Sequence, residues 1–178
     1  MRDGAKEYAD ALFSLSEELG TTEAVKSDVA DVSDAIMANP KYIDLCDTPA
    51  VAIGEKLSLI REALGSVNES VRSLVMILAE KHSVRLFPEI AKEYRTIYNE
   101  SRNILEAEAV SAAPLSPSQL SAIKEKLEKK TGKTVTVANT IDKSILSGVI
   151  LRYMGIQLDG SLGARLSQIE KSLKNTIL

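Results

Sequence analysis

The spacing of apolar residues along the chain changes near residue 104, and this change predicts two unlike domains. Before that point apolar residues recur every three or four positions, as on one face of an α-helix. After it, Leu105, Ala107 and Ala109 alternate with other residues, as in a half-buried strand. The sequence therefore predicts a helical domain over residues 1–104 and a small α+β domain over residues 105–178.

Six helices are predicted in the first domain, and residues typical of helix ends delimit several of them. Thr48 followed by Pro49 predicts one helix start, because proline is favoured at the first helical position. Ser66 with Glu69 predicts a capping box at the start of another helix. Connections of only a few residues join the helices, which is typical of an antiparallel six-helix bundle.

The second domain is predicted to have the order β-α-β-β-β-α. Ser116 and Gln119 form a capping box, and Gly132 ends the helix that begins there. Residues 149–158 read as a hairpin with its turn at Met154 and Gly155. A final helix is indicated by Leu162, Leu166, Ile169, Leu173 and Ile177. Both helices are expected on one face of a small sheet.

Two helices of the first domain have more apolar surface than one buried face requires. On the first helix, one apolar face is formed by Tyr8, Leu12, Leu15 and Leu19, and a neighbouring face by Ala5, Ala9 and Phe13. The helix over residues 66–81 has only a narrow polar edge. A helix that faces only its own core needs a stripe of about 100°. Either these helices are central in the bundle, or a second molecule shares their surface.

Composition narrows the classes of function. The net charge of −3 and the balanced 26% of charged residues provide no basic field for nucleic acid or anionic lipid. The longest apolar run, Leu74 to Ala79, is far shorter than the roughly 20 residues that span a bilayer. The first twenty residues are too acidic for a signal or transit peptide, so cytoplasmic residence is expected. Cys46 is the single cysteine, as expected in a reducing compartment.

No catalytic, cofactor or metal motif is present in the sequence. His82 is the only histidine and has no partner at a metal-ligand spacing, so a structural role is expected. Residues 131–134 resemble part of a phosphate loop but read better as a helix end followed by a strand. An enzyme with Arg152, Asp159 and Arg165 in a cleft between the domains remains an alternative, as does a generic adaptor.

Several segments together resemble the delta subunit family of F-type ATP synthase, called the oligomycin-sensitivity-conferring protein in mitochondria. The segments are Tyr8 to Phe13, Asn39-Pro40 through Thr48-Pro49, Leu78 to Lys81 with Arg85 to Ile90, Ile141-Asp142, Gly148 to Arg152, Asp159-Gly160-Ser161 and Arg165-Leu166. The resemblance covers nearly the whole chain. One departure is Met154, where the family usually has a small residue.

The resemblance implies a non-catalytic stator subunit with no cofactor, one copy per complex, held at the cytoplasmic side of the cell membrane by the other subunits. In this family the first and fifth helices form a groove for the N-terminal helix of an alpha subunit, and the C-terminal domain contacts the C-terminal ends of the b subunits. Carried over to this chain, the partner-binding candidates are Tyr8, Ala9, Leu12, Phe13, Leu74, Val75, Leu78 and Ala79.

Overall fold

A computed structural model describes residues 2–163 of the chain, with side chains from Gly4 onward. The chain divides into two compact units, residues 1–98 and 99–178. Helices and strands occupy most of the described residues, so the predicted α+β class is confirmed. Within residues 2–163 no helix combines the length and the hydropathy needed to cross a bilayer.

Six α-helices precede the first strand within the described residues. They are α1 (Arg2–Glu18), α2 (Thr22–Ala38), α3 (Pro40–Asp47), α4 (Ile53–Ala63), α5 (Glu69–Glu80) and α6 (Phe87–Ser101). A short 3-10 turn, Val84–Leu86, leads into α6. Pro88 stands in the first turn of α6, where its missing N–H group leaves no hydrogen bond unmade.

The core of the first unit joins helices that are distant in sequence. Tyr94 of α6 packs edge-on against Phe13 of α1, with ring centroids 5.8 Å apart. Its hydroxyl lies 3.0 Å from the hydroxyl of Ser16, which also donates to the carbonyl of Phe13. Ser16 is therefore a buried polar residue whose hydrogen bonds are satisfied on the core face of α1.

A buried lysine ties α4 to the end of α3. The ammonium group of Lys56 donates to the carbonyls of Cys46 and Thr48, at 2.8 and 2.5 Å. Its third neighbour is Nδ1 of His82, at 3.3 Å, just beyond the end of α5. Lys56 is 0% exposed, and a lysine is rarely buried unless acceptors surround its charge. His82 thus has a structural role in this chain.

The start of α4 differs from the prediction because of that lysine. Thr48 does not begin a helix with Pro49. It ends α3 in an extended conformation, and α4 begins five residues later at Ile53. The carbonyl of Thr48 accepts from Lys56, and residues 49–51 form a turn and a bend that separate α3 from α4.

The start of α5 also differs from the prediction. Asn68, not Ser66, is the cap, and its side chain accepts from the N–H of Ser70 at 2.9 Å. The N–H of Asn68 donates to the carboxylate of Asp28 on α2 at 2.6 Å. The local cap by Asn68 and this contact with α2 together hold the start of α5.

The turn after α5 is hydrogen-bonded to α3. The N–H of Val84 donates to the carboxylate of Asp47 at 2.8 Å. Arg85 pairs with Asp44 at 2.6 Å and lies 3.6 Å from Asp47. His82 adopts the left-handed conformation in this turn, with φ +51°. Both ends of α5 are therefore held by hydrogen bonds to other helices.

The second unit holds a mixed sheet of four strands among the described residues. They are β1 (Ile104–Ser111), β2 (Thr134–Ile141), β3 (Val149–Tyr153) and β4 (Ile156–Asp159), in the spatial order β2-β1-β3-β4. β1 is parallel to β2 and antiparallel to β3, and β3 is antiparallel to β4. One helix, α7 (Pro117–Thr131), connects β1 to β2.

Local predictions in this unit are confirmed. Ser116 and Gln119 form a reciprocal capping box at the start of α7, and Gly132 ends the helix in the left-handed conformation with φ +70°. The hairpin turn lies at Met154 and Gly155, both with positive φ. The predicted final helix has only Leu162 among the described residues, so Leu166, Ile169, Leu173 and Ile177 lie outside them.

The apolar core of the second unit lies between α7 and one face of the sheet. Leu127 of α7 is buried against strand residues, while Ile123 and Val137 are partly buried at its margin. The strand residues are Leu105, Ala107, Val135 and Tyr153. All four belong to the same face by the alternation of side chains along the strands.

The loop before β3 passes so close to the turn after β4 that a side chain at residue 148 has no room. A Cβ atom on Gly148 would lie 2.5 Å from the carbonyl oxygen of Gly160 and 2.8 Å from Cα of Ser161. The φ angle of Gly148 is +98°, which L residues rarely adopt. The N–H of Gly160 donates to the carbonyl of Val149, which keeps the two segments together.

Candidate functional site

Helix α1 has two apolar faces; the chain buries one of them and only part of the other, where Leu12 is 5% exposed. Ala5, Ala9 and Phe13 lie in the core with exposed fractions of 1, 0 and 8%. About 90° around the helix, Leu15 and Leu19 remain 42 and 57% exposed. Burying a leucine side chain contributes about 1.5 to 3 kcal/mol, so this outer face is a large unsatisfied apolar surface.

Helix α5 is buried on one side and borders the exposed face of α1 on the other. Val71, Val75 and Leu78 are almost completely buried, whereas Ile77 is 42% exposed. The positions one and two turns before Ile77 on its outer side are small and polar, namely Ser73 and Ser70. Small residues there keep the space between α1 and α5 open.

A groove of about 730 Å³ lies between the exposed faces of α1 and α5, and we call it the α1–α5 groove. It is lined by Tyr8, Ala11, Leu12, Leu15, Leu19, Thr21, Asn68, Glu69, Ser70, Ser73, Leu74 and Ile77. The lining is mostly apolar along the middle, with polar residues at its ends. A concave apolar surface of this kind suits the apolar face of an amphipathic helix.

The predicted partner-binding residues fall into two groups in the structure. Tyr8, Leu12 and Leu74 line the groove, although Leu12 and Leu74 are only 5 and 6% exposed. The other five pack in the interior behind the lining, and they are Ala9, Phe13, Val75, Leu78 and Ala79. Contact with a partner remains a prediction for all eight residues.

Sequence reasoning missed most of the outer lining. Leu15 and Leu19 belong to a stripe that the sequence makes visible, because they continue the spacing of Tyr8 and Leu12. On α5, Ile77 lies at the same kind of spacing from Leu74. These exposed residues are the part of the site that a partner would reach first.

One end of the groove carries a positive charge. The ammonium group of Lys81 donates to the hydroxyl of Tyr8 at 2.8 Å and lies 5.4 Å from the centroid of its ring. The hydrogen bond with Tyr8 raises the pKa of Lys81, which favours its ammonium form. The opposite end is bordered by Glu69 at the start of α5. The groove therefore differs in charge from one end to the other.

A second apolar cavity, of about 520 Å³, lies among α2, α3, α4 and α5. Its lining includes Ile36, Tyr42, Leu45 and Leu64. Burial, with a smaller effect of the neighbouring Cys46, raises the pKa of Tyr42 to about 12. The neutral phenol is therefore the form that the folded chain accommodates.

The raised pKa of Tyr42 gives a testable dependence of stability on pH. Below pH 10 the phenol is neutral in both the folded and the unfolded chain, so its ionisation does not affect stability. Between pH 10 and about 12 the unfolded chain loses this proton and the folded chain retains it, so stability falls as pH rises. We expect Tyr42→Phe to lose less stability than the unmodified chain between pH 8 and pH 11. Urea unfolding followed by circular dichroism measures the difference, and parallel losses in the two proteins would contradict it.

The polar residues proposed for the alternative enzyme form ordinary structural contacts. Arg152 pairs with Glu108 at 3.3 Å and donates to Gln157 at 3.1 Å. A hydrogen bond from Thr140, followed by that from Arg152, holds the pKa of Glu108 below its usual value. This exposed network lies across neighbouring strands of the sheet, as expected for a surface ion pair.

Asp159 also has a local role, because its carboxylate accepts from the N–H of Ser161 at 2.9 Å. The hydrogen bonds from Ser161 lower the pKa of Asp159. Arg165 lies outside the described residues. Among the described residues there is no group of three His, Cys, Asp or Glu side chains that could hold a metal ion.

The chain is similar to known proteins along nearly its whole length. Residues 5–173 match the family described as the ATP synthase delta (OSCP) subunit. A protein of Geobacillus sp. (strain WCH70) named ATP synthase subunit delta is 31% identical over 170 residues, covering 95% of this chain and 96% of the relative. The proteins of that name from Priestia megaterium and Clostridioides difficile are 32 and 29% identical, covering 94 and 97% of those relatives and 95 and 97% of this chain.

A solved structure shares the fold. A chain in the cryo-EM structure of the Toxoplasma gondii mitochondrial ATP synthase hexamer aligns with a TM-score of 0.72 and 22% identity. The alignment covers 95% of this chain and 96% of that chain. The similarity therefore extends through both units and not to one of them alone.

Proposed function

Because the chain belongs to the ATP synthase delta (OSCP) subunit family, we propose that its six-helix bundle, residues 1–104, binds the N-terminal helix of the alpha subunit in the α1–α5 groove. Members of this family are stator components of F-type ATP synthase and not catalytic subunits. The chain is accordingly a peripheral-stalk subunit that associates with the membrane through the complex.

The proposal assigns a separate role to each domain. The helical domain holds the catalytic head, and the α+β domain, residues 105–178, contacts the C-terminal ends of the b subunits. One copy in each complex, at the cytoplasmic side of the membrane, then prevents the head from turning with the rotor. Proton-driven rotation is thereby coupled to ATP synthesis on other subunits.

The observation that carries the proposal is the exposed apolar lining of the α1–α5 groove. Leu15, Leu19 and Ile77 are between 42 and 57% exposed although the chain has buried faces on both helices. Contiguous exposed apolar surface on a soluble chain is typical of an interaction site. A helix that presents leucine-like side chains at every third or fourth position would cover these residues.

We expect aspartate in the groove to weaken binding of the alpha N-terminal helix by at least about tenfold, since a central anchor commonly contributes more than 1 kcal/mol. Leu15→Asp and Ile77→Asp place a charge on opposite walls of the groove. Isothermal titration calorimetry of the full chain with a synthetic peptide of the alpha N-terminus measures the affinity. Circular dichroism verifies that each variant retains its helix content.

Leu59→Asp is a matched control. Leu59 lies on α4, outside both cavities, and is 42% exposed, the same fraction as Leu15 and Ile77. The substitution should leave peptide affinity unchanged within about twofold. Equal weakening by Leu59→Asp, or no heat from the unmodified chain at tens of micromolar peptide, would contradict the groove as the binding site.

A further inference from the structure

The outer edge of β2 has no strand paired to it in the described part of the chain. Most of this edge is nevertheless regular enough to accept another strand. In the order β2-β1-β3-β4 the two edges are β2, with eight residues, and β4, with four. Natural sheets discourage pairing at their edges by short strands, charged residues or proline. β4 is short, but β2 reads Thr-Val-Thr-Val-Ala-Asn-Thr-Ile, with no charge, proline or glycine.

The hydrogen-bond pattern identifies which groups are free at this edge. The N–H of Thr134 donates to Asn103 and the N–H of Asp142 donates to Ser111, so even-numbered residues of β2 point toward β1. Successive residues of a strand point in opposite directions, so Val137, Asn139 and Ile141 direct their N–H and C=O groups outward. No backbone partner for these groups is present in residues 2–163.

The first outward N–H group on β2 is already hydrogen-bonded within the chain. The N–H of Val135 donates to the carboxylate of Glu128 on α7 at 3.1 Å. The helix thus closes the edge at its beginning and leaves the last two-thirds of the strand open. The free segment is residues 137–141, which can hold about five residues of a second strand.

We propose that residues 137–141 bind an extended segment of another subunit of the complex, which adds to the sheet as a fifth strand. Backbone hydrogen bonds would provide the attachment, as in other cases of strand addition. The proposal rests on the assignment of this domain to the peripheral stalk, and it names the kind of segment that the domain would recognise.

Side chains beside the free edge indicate the chemistry of that segment. Val137 and Ile123 are only partly buried at the margin of the core, and Ile141 is 50% exposed. An apolar residue at every second position of the incoming strand would extend this core. Lys133 stands just before β2, so an acidic residue near that end of the segment would be complementary, whereas Asp142 and Lys143 offset each other at the other end.

Hydrogen–deuterium exchange with residue-level fragmentation tests the proposal on the purified ATP synthase complex and on the isolated chain. We expect the amides of Val137 and Asn139 to exchange at least about tenfold more slowly in the complex. The amides of Thr136 and Ala138 already pair with β1 and are internal controls that should change little. Unchanged exchange at Val137 and Asn139 in a complex that contains the chain would overturn strand addition and leave the stator role intact. Absence of the chain from the complex would instead contradict the proposed function.

A pair of variants tests the same hydrogen bonds independently. Val137→Pro removes an outward N–H group without removing any bond to β1, and proline is tolerated on such edges. Val137→Thr keeps the N–H group and the strand propensity. We expect Val137→Pro to reduce retention of the chain in washed complexes several-fold relative to Val137→Thr. Equal retention of both variants would overturn the proposal. Slow exchange in the isolated chain that depends on its concentration would also do so, by assigning the edge to a second copy.

Discussion

Gly148→Ala is expected to remove much of the second unit's stability, with a loss of about 3 kcal/mol or more. The added Cβ would lie 2.5 Å from the carbonyl oxygen of Gly160 and 2.8 Å from Cα of Ser161. Both are backbone atoms, so no rotation of a side chain can relieve the contact. The positive φ of residue 148 adds roughly 1 to 2 kcal/mol for any L side chain.

Exchange of the Ala109 amide in the centre of the sheet is a suitable measurement, because it reports unfolding of this unit alone. A loss of about 3 kcal/mol corresponds to exchange about 100-fold faster. Gly155→Ala is the matched control, since Gly155 has a similar positive φ of +73° but a Cβ added there would meet no atom within 4 Å. Gly155→Ala should lose only the roughly 1 to 2 kcal/mol of stability that a positive φ costs an L residue. Equal stability of the two variants would mean that the close approach of residue 148 to Gly160 adds no steric penalty.

Lys56→Met is expected to destabilise the first unit by about 3 kcal/mol, because one buried and one partly buried carbonyl would lose their donor. Methionine has nearly the same length and shape as lysine, so the change mainly removes the ammonium group. The carbonyls are those of Cys46 and Thr48, and each unsatisfied buried group costs about 1 to 3 kcal/mol. The contact with His82 beyond α5 would also be lost.

The midpoint of urea unfolding, followed by circular dichroism at a helix wavelength, measures this effect. Lys92→Met provides the control, because Lys92 is an exposed lysine of α6. Its replacement should change stability by no more than about 0.5 kcal/mol. An unchanged midpoint for Lys56→Met would mean that water or a shift of the backbone replaces the ammonium group at both carbonyls.

The sequence correctly predicts the ends of helices and strands that depend on neighbouring residues. The Ser116 and Gln119 box, the Gly132 helix end and the turn at Met154 and Gly155 each depend on neighbouring residues only. Thr48 and Ser66 carry equally good local signals, but both predictions are wrong. Lys56 holds the carbonyl of Thr48, a contact between helices, whereas at α5 the local cap of Asn68 prevails over Ser66 and is reinforced by Asp28 of α2.

The sequence predicts which two helices form the groove better than it predicts which of their residues line it. Helical spacing gives the angle between two apolar faces of α1 but not which face the bundle buries. The core face contains Ser16, whose hydroxyl is satisfied by Tyr94, a residue 78 positions away. Without that contact Ser16 makes the core face look the more polar one. Ala9 and Phe13 are predicted to contact the partner because the family resemblance points to them, whereas Leu15 and Leu19 are the exposed pair.

The two anchors of α5 have a consequence for the entropy of assembly. Asp28 fixes the helix at its beginning, and Asp47 fixes the turn that follows it, so this wall of the groove is rigid before any partner arrives. The conformational entropy lost on association would then come mainly from the incoming peptide, which must form a helix as it binds. Substitutions that raise the intrinsic helicity of that peptide should tighten the complex, whereas stiffening the receptor further should bring little gain.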